Sequence, residues 1–495
     1  MITAIELENF KGVGHRVRIP IRPITLLFGA NSAGKSTILH ALHYAYEILA
    51  HRNADADITE RGGEHLNLGG FRNLVHGRDT TKRIALAFEL DLEERDLPTY
   101  GGPDAMDISS HVKAARIEIE VGWSEAEQKA VPLLYKVSIN GEEAGFLNLP
   151  NGEKYGAVAQ YNMGHPIVKN LWDDVENFDI LSWEPIQIDR LFSVIPNWKE
   201  KLQYIEDSNN TYIPDGDYVL SQVLVGVGEI FTEYLAKMRY IGPIRKILPR
   251  NYERVISRHD TRWFDGTAAW DTILHASDSF VGKVGTWLED SERLNTGYGI
   301  KIQRYREVDM ASPFALSIGQ GTLTQDIDDI KQAFMTFPER RKVRIVDANT
   351  RHEYSLYDLG VGISQLTPVV ITALHPATKL MVVEQPELHI HPKVQTGLGD
   401  LFISQANLNA ERESQFLIET HSEHLILRIL RRIREFNEGE PLPDELKISH
   451  EDLSIVYVEN ADEGVSITPI GVNETGEFTN RWPKGFFDER AEELF

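Results

Sequence analysis

The sequence contains no cysteine among its 495 residues. Disulfides, thiolate metal sites and cysteine nucleophiles are therefore excluded, and the composition fits a reducing compartment. No apolar run approaches the length of a transmembrane helix. The first eight residues alternate as in a strand, unlike a signal peptide. We therefore expect a cytoplasmic protein with no membrane partner.

Positive charge is also scarce. Lys and Arg number 51 against 75 Asp and Glu, which gives a formal net charge of −24. This balance opposes long-range attraction to nucleic acid, so any direct DNA binding would need a local basic groove or a partner. Arg428, Arg431, Arg432 and Arg434 recur at helical spacing, but Glu435 beside them favours a salt-bridged helix face over a DNA-contacting one.

An apolar segment, residues 24–28, breaks into a glycine-bounded loop that opens a helix. Glycines let successive backbone N–H groups turn toward a phosphate, and the helix N-terminus adds partial positive charge. Lys35 supplies a point charge for the terminal phosphates, and Ser36 supplies a hydroxyl for Mg²⁺. The residues predicted to bind ATP here are Ala30, Asn31, Ser32, Ala33, Gly34, Lys35, Ser36 and Thr37.

A phosphate loop of this kind needs a carboxylate that holds magnesium at the end of a buried strand. Residues 380–384 form such a strand pattern, so Glu384 is predicted to share the metal with Ser36. The polar residues that follow are expected to face the nucleotide at the strand's carboxyl end. A second apolar strand, 416–419, is followed by His421. The residues predicted to act in hydrolysis are Glu384, Gln385, Glu387 and His421.

The remaining sequence divides around these motifs. Alternating segments between residues 84 and 149 predict an antiparallel β layer, with Asn140-Gly141 as a hairpin turn. We predict three parts. Residues 1–160 form the N-terminal half of the ATPase head, with the P-loop and β layer. Residues 161–340 form an inserted, mainly helical domain for assembly or partner contact. Residues 341–495 form the C-terminal half, with a glycine–serine loop at residues 358–366, the acid strand at residues 380–384 that ends in Glu384, and His421.

The order of these motifs resembles the ATP-binding-cassette class, and within it the SMC-, RecF- and OLD-like branch. The resemblance implies an α/β head with a mixed sheet, flanking helices, an antiparallel β layer and a long insertion. It also implies that two heads sandwich two ATP molecules. In that arrangement Gly362, Ser364 and Gln365 of one protomer touch the γ-phosphate bound to the other. We expect their helix to begin near Ser364.

A tighter resemblance covers nearly the whole chain. It is to the AAA-type ATPases of bacterial anti-phage defence systems such as Septu and PARIS. That resemblance implies a homodimer or higher homo-oligomer, a separate effector nuclease of HNH or TOPRIM type, and a phage trigger. The matching segments are residues 69–77, 240–245, 361–365, 384–392, 419–425 and 482–487.

Two departures from the cassette pattern bear on activity. The usual Asp-Glu pair at the strand end is here Glu384-Gln385, and a glutamine orients water but accepts no proton. We therefore expect slow hydrolysis unless Glu387 or His421 compensates. The usual glutamine that senses magnesium is also missing before Gln128, and the candidates to replace it are Asn67, Asn73 and His76.

Three other readings of the sequence stay open. An OLD-like nuclease acting alone would need a second domain, and the stretch after His421 offers only two short strand patterns. A transporter ATPase fits poorly with the long insertion, and a RecF-like repair ATPase would hold DNA directly. The histidines His389, His391, His421 and His424 could suggest a metal site. The proline-rich turn that contains the first two is, however, already expected to lie beside ATP.

Overall fold

The computed structural model describes fourteen stretches of the chain. They are residues 1–59, 63–93, 95–101, 107–149, 158–162, 164–171, 184–187, 193–203, 216–250, 252, 260–320, 327–406, 414–461 and 464–482.

A six-stranded mixed sheet forms the centre of the molecule. The five strands that begin the order pair in parallel, and the last pairs antiparallel with its neighbour. The P-loop strand is fourth and lies between the strand that precedes His421 and a C-terminal strand. In spatial order the strands are Met238–Ile241, Leu380–Glu384, Gln415–Glu419, Ile24–Phe28, Leu453–Ala461 and Gly464–Ile470.

A second sheet has eight strands and is antiparallel throughout. Its Asn140-Gly141 turn has positive φ at both residues, 52° and 89°, as a two-residue type I′ hairpin requires. In spatial order its strands are Glu184–Gln187, Val158–Tyr161, Glu142–Asn148, Lys129–Ile139, Ala114–Ser124, Ile84–Asp91, Ile2–Glu8 and Val17–Pro20. This is the predicted β layer.

Helices and two small sheets complete the described fold. The small sheets comprise Tyr298–Arg306, Glu339–Asp347 and Glu353–Tyr354, and separately Ile58–Thr59 and Gly63–Asn67. The α-helical segments are Lys35–His51, Phe71–Leu74, Pro166–Leu171, Gly216–Ala236, Thr267–His275, Asp278–Glu289, Pro313–Gly319, Ile327–Thr336, Val361–Leu374, Pro392–Ala406 and Glu423–Asn437. Single 3₁₀ turns lie at His76–Arg78, Ser109–His111, Asp260–Trp263, Leu356–Asp358, Asp444–Leu446 and His450–Asp452.

The central sheet separates two hydrophobic cores. Because side chains alternate along a strand, Leu417 enters the core beneath the antiparallel sheet, whereas Phe416 and Ile418 enter the opposite one. The first core also contains the apolar face of helix Lys35–His51, and the second contains that of Glu423–Asn437. The mixed sheet with flanking helices and an antiparallel layer confirms the predicted fold class.

The segment 161–340 is mainly helical where it is described, as predicted, but it is built into the head. Strand Met238–Ile241 forms one edge of the central sheet, and strand Tyr298–Arg306 pairs with Glu339–Asp347, which crosses the predicted boundary at 340. One helix of the described chain, Gly216–Ala236, is long and apolar enough to cross a membrane by length and composition alone. Within its most apolar window, 83% is buried inside the protein.

Candidate functional site

The P-loop follows the central strand Ile24–Phe28 and leads into helix Lys35–His51. Glycine is required at Gly29 and Gly34 by the backbone conformation and by the close approach of neighbouring atoms. Gly29 has φ of 145°, and a Cβ there would lie 2.0 Å from the carbonyl oxygen of Val458. Gly34 has φ of 98°, and its Cβ would lie 2.7 Å from the side chain of Val465. The C-terminal strand pair therefore closes tightly on the loop.

The tip of the loop is open to solvent. Ala30, Asn31 and Ser32 are exposed, and Asn460 holds the tip by donating from Nδ2 to the Ser32 carbonyl at 3.1 Å. Thr37 is buried in the first turn of the helix, where its N–H donates to the Gly34 carbonyl at 2.9 Å. The loop thus offers exposed backbone above a fixed helix N-terminus.

Lys35 is folded back into the loop that it follows. Its Nζ donates to the carbonyl oxygens of Gly29 and Ala30 at 2.9 and 3.0 Å, and it lies 3.3 Å from His421 Nε2. Burial lowers the pKa of the ammonium, while the nearby Glu419 carboxylate raises it. A cation held by two carbonyl oxygens, one imidazole nitrogen and one carboxylate at 3.7 Å is suited to exchange these partners for phosphate oxygens.

Ser36 contacts a carboxylate that the sequence analysis missed. Its hydroxyl donates to Glu419 Oε2 at 2.9 Å, and Glu419 is 7% exposed. The signal was present in the sequence, because Glu419 ends a buried apolar strand in the same way that Glu384 does. In the sheet register Glu384 pairs with Glu419, and Glu419 pairs with Leu27 of the P-loop strand.

Glu384, the predicted magnesium ligand, lies one strand farther from the P-loop than Glu419. The hydroxyl of Tyr240 donates to its Oε1. Burial raises the pKa of the Glu384 carboxyl to about 7, the hydrogen bond from Tyr240 opposes that rise, and the charge of Glu419 adds to it. The structure therefore brings Glu384 to the same sheet edge as Ser36, with Glu419 between them in the strand order.

Glu387 fixes the backbone beside His421. Its two oxygens accept hydrogen bonds from the hydroxyl of Thr420 at 2.8 Å and from the N–H of His421 at 2.7 Å. Burial raises the pKa of Glu387, and these hydrogen bonds oppose the rise. Burial, followed by the charge of Lys35, lowers the pKa of His421, so its imidazole is neutral at physiological pH.

The backbone of Gln385 is held on both sides. Its N–H donates to the Glu419 carbonyl at 2.7 Å, and its own carbonyl accepts from the Arg245 guanidinium at 3.3 Å. Arg245 also donates to the Glu384 carbonyl at 2.6 Å and is 1% exposed. Gln385 adopts a φ of 43°, which is unusual for a residue other than glycine. The turn after the acid strand is thus fixed by contacts to its main chain.

The helix of the glycine–serine loop begins at Val361, three residues before the predicted start near Ser364. Ser364 and Gln365 lie in the interior, where they are 0% and 4% exposed. Gln365 accepts from the Arg245 N–H at 2.9 Å and donates to the Arg245 carbonyl at 2.6 Å. Gly362 lies on the helix's first turn, and a Cβ there would approach the His389 carbonyl at 2.8 Å.

The residues proposed to replace the missing glutamine make local contacts. Asn73 donates to the Gly69 carbonyl at 2.6 Å, and His76 Nδ1 lies 2.9 Å from the Lys11 carbonyl. Asn67 is an exposed residue at the end of a short strand. All three residues lie in the glycine-rich segment that ends at Gly77. The contacts given for Asn73 and His76 do not include Ser36 or Glu419.

Three of the four arginines at helical spacing form ion pairs within the chain. Arg428 and Arg432 pair with Asp400, and Arg431 and Arg432 pair with Glu435, which confirms the salt-bridged helix face. The guanidinium groups of Arg72 and Arg239 lie over the rings of Trp123 and Trp263. In the described chain no three His, Asp or Glu side chains are grouped as an all-protein metal site would require.

The C-terminal segment packs against Phe28, the last residue of the P-loop strand. The ring of Trp482 lies edge-on to Phe28, with ring centroids 5.3 Å apart, and it also contacts Tyr457 and Phe478. The rest of the motif that begins at this tryptophan, residues 483–487, lies outside the described residues.

Comparisons with known proteins find a similarity to an ATPase domain family over these elements. Residues 1–67 and 292–426 match the AAA ATPase domain family, and residues 448–495 match a family described as a protein of unknown function, DUF3696. The first match contains the P-loop, the helix at Val361 and the strand ending in Glu384 and the one ending in Glu419. Two segments of the chain, together less than half of its length, are therefore similar to the AAA ATPase domain family, and this match and the P-loop support an ATPase.

Several solved structures of SMC heads are similar to the whole chain at low identity. An SMC head bound to the C-winged helix domain of ScpA is 12% identical, with 95% of this chain and 97% of that chain covered and a TM-score of 0.40. The head from Thermotoga maritima is 10% identical, covering 95% and 99%, with a TM-score of 0.37.

A third SMC head has an extended coiled coil and is bound to the C-terminal domain of ScpA, derived from Pyrococcus furiosus. It is 11% identical, covering 100% and 98%, with a TM-score of 0.39. Likeness at this level says nothing about ligands or partners, and no curated protein matches the chain. The structure itself shows an α/β fold in which the P-loop follows a central strand of a mixed six-stranded sheet.

Proposed function

We propose that this protein is an ATP-dependent switch that binds Mg-ATP at the P-loop, pairs with a second copy of itself and hydrolyses the nucleotide slowly. The observation that carries the proposal is the convergence of Lys35, Ser36, Glu419 and His421 at the carboxyl ends of adjacent parallel strands. That sheet edge is where open α/β sheets bind their ligands.

The residues at this edge fit both parts of Mg-ATP. Lys35 and the exposed loop backbone would hold the phosphates, and Ser36, Glu384 and Glu419 offer the hard oxygen ligands that Mg²⁺ prefers. When bound, the metal neutralises phosphate charge and orients the terminal phosphate for attack by water. Lys35 is already desolvated by the protein, so its exchange of carbonyl for phosphate oxygens costs little additional dehydration.

His421 is positioned to monitor the end of the nucleotide. The Glu387 carboxylate fixes its backbone N–H, and its neutral ring accepts from the Lys35 ammonium through Nε2. When Lys35 turns to phosphate, the imidazole loses this donor. We propose that His421 then hydrogen bonds to the terminal phosphate or to the attacking water, which links the occupancy of the loop to the strand ending in Glu419.

Slow hydrolysis follows from the residues of the turn after Glu384. Gln385 stands where cassette ATPases carry the glutamate that polarises water, and its amide accepts no proton. Both oxygens of the half-buried Glu387 carboxylate are occupied by Thr420 and His421, so it is poorly placed to act as a replacement base. The ATP-bound state is therefore expected to persist.

Pairing would use the helix that begins at Val361. Gly360 caps this helix without a side-chain hydrogen bond, and Val361 is 46% exposed. The first N–H groups of a helix have no partner within the helix, so they would be available to an anion. We propose that this turn, with Gly362, contacts the γ-phosphate held by the partner. Ser364 and Gln365 would support that turn from inside their own protomer through Leu356 and Arg245.

We further propose that the switch regulates a separate effector nuclease in an anti-phage defence complex. Support comes from the sequence resemblance to defence ATPases of the Septu and PARIS kind. Native mass measurement after co-purification with the products of neighbouring genes, with and without ATP, would test this role. Recovery of an effector subunit is expected. DNA cleavage by the pure chain with Mg²⁺ or Mn²⁺ alone would contradict the assignment of nuclease activity to another chain.

Two substitutions test the ATPase proposal directly. Lys35→Ala removes the phosphate-binding cation and is expected to abolish nucleotide binding measured by calorimetry. Gln385→Glu restores a proton-accepting group beside Glu384 and is expected to raise phosphate release by about a hundredfold or more, the lower end of general-base effects. Unchanged turnover in Gln385→Glu would show that this position does not limit hydrolysis.

A further inference from the structure

Glu419 is the carboxylate in direct contact with the P-loop. Its Oε2 accepts from Ser36 at 2.9 Å, and its Oε1 lies 3.7 Å from the Lys35 ammonium. The residue is 7% exposed and ends a strand that pairs with the P-loop strand itself. The buried Glu419 carboxylate therefore faces both Lys35, the proposed phosphate-binding residue, and Ser36, the proposed metal ligand.

Glu384 reaches this region from one strand farther away. Its Oε1 is engaged by the Tyr240 hydroxyl, and its main-chain carbonyl is engaged by Arg245. The paired register of Glu384 and Glu419 places the two carboxylates side by side at the same sheet edge. Glu419 is therefore the member of the pair on the P-loop side, and Glu384 is the member on the Tyr240 side.

We propose that Glu419 is a second carboxylate of the magnesium site, alongside Glu384, and that it restrains Ser36 and Lys35 in the nucleotide-free protein. The inference rests on the proposed function, since it assumes that Mg-ATP binds at this loop. Protein Mg²⁺ sites typically combine one or two carboxylates with substrate phosphates, which fits this pair. It also supplies a metal-facing side chain in a head that lacks the early glutamine of cassette ATPases.

Two adjacent carboxylates have a measurable consequence. Without a divalent cation, their charges oppose the phosphates of ATP, and Ser36 and Lys35 stay engaged with Glu419. With the cation present, the same carboxylates favour binding. The affinity for ATP should therefore depend strongly on Mg²⁺, and Glu419 should carry a large part of that dependence.

The test uses the full chain and a fluorescent ATP analogue, mant-ATP, titrated in EDTA and across a range of Mg²⁺ concentrations. Glu419→Gln is expected to bind mant-ATP in EDTA at least as tightly as the parent. Its enhancement of affinity by Mg²⁺ should fall by about tenfold, within the usual range of coupling between two ligands. Glutamine keeps the length of the side chain and an acceptor for Ser36, so the fold should be retained.

Two matched variants complete the experiment. Glu419→Asp keeps the charge but shortens the side chain, so it should keep the parent's weak binding in EDTA and lose part of the Mg²⁺ enhancement. Glu384→Gln reports the other carboxylate. Full Mg²⁺ enhancement in both Glu419 variants, with its loss in Glu384→Gln alone, would overturn the inference. Failure of the parent chain to bind mant-ATP with Mg²⁺ would instead contradict the proposed function.

Discussion

At the scale of single residues, the site depends on hydrogen bonds that hold its main chain. Thr420 is 0% exposed, and its hydroxyl donates to the Glu387 carboxylate that also holds His421. Thr420→Val keeps the shape and removes both the donor to Glu387 and the acceptor for the Ser422 N–H at 3.0 Å. We expect a loss of roughly 1–3 kcal/mol in the free energy of unfolding, because a buried oxygen loses a partner. Urea denaturation of the nucleotide-free chain measures this loss.

A buried threonine outside the site provides the control. Thr372 is also 0% exposed, and its hydroxyl donates to the neutral Pro368 carbonyl of its own helix at 2.7 Å. Hydrogen bonds to charged groups are stronger than those between neutral groups, so Thr372→Val should cost less than Thr420→Val. Equal or smaller destabilisation in Thr420→Val would indicate that the Glu387 contact contributes little.

At the scale of elements, the antiparallel sheet carries a buried charge cluster. Glu118 is 3% exposed and pairs with Arg116 of its own strand, Lys136 of the neighbouring strand and Arg16, which precedes strand Val17–Pro20. Burial alone would raise its pKa, but the hydrogen bonds from Arg116 and Arg16 outweigh burial and lower the pKa of Glu118 to about 2.

The pH dependence of stability follows from this shift. An acid whose pKa is depressed on folding stabilises the protein above its unfolded pKa near 4.5, and that contribution disappears as pH falls toward 2. Glu118→Gln should therefore lower the unfolding free energy at pH 7 by roughly 3 kcal/mol and flatten its decline between pH 5 and pH 2. Thermal unfolding across this pH range measures both effects. A parallel pH profile in the variant and the parent would contradict the assignment.

Element by element, the sequence predicted strands more reliably than side-chain directions. The buried strands 24–28 and 380–384 and the Asn140-Gly141 turn were predictable because their patterns are local. The contact between Gln365 and Arg245 was not, because 120 residues separate them in the chain. The helix starts at Val361, three residues before the predicted position, and Ser364 and Gln365 on it are buried within their own chain.

The site itself was predicted in part. The P-loop, Glu384 and His421 were found from strand ends followed by polar residues, and the structure brings them to one sheet edge. Glu419 was not predicted as a site residue, because the sequence pattern of its strand pointed to His421 as the functional residue that follows it. Its importance emerges only when the strand order places it between Glu384 and the P-loop. The loop's support by the strands around Val458 and Val465 likewise depends on tertiary structure.

At the scale of the whole molecule, the exposed first turn at Val361 is expected to join two heads through ATP. Nucleotide that bridges two chains contributes to the stability of the pair, so ATP should shift the population toward dimers. Val361→Asp places a negative charge where the partner's phosphate is expected. This variant should bind ATP as the parent does but fail to pair. Leu427→Asp changes a side chain of similar exposure, 47% against 46%, on another helix and should pair normally.

The most direct test of the account is the mass of the chain in solution by sedimentation equilibrium, with and without Mg-ATP. We predict that Mg-ATP converts the parent chain of 56.2 kDa to a species of twice that mass. Lys35→Ala and Val361→Asp should stay at the mass found without nucleotide. A parent chain that binds Mg-ATP to saturation with no change in mass would contradict the switch proposed here.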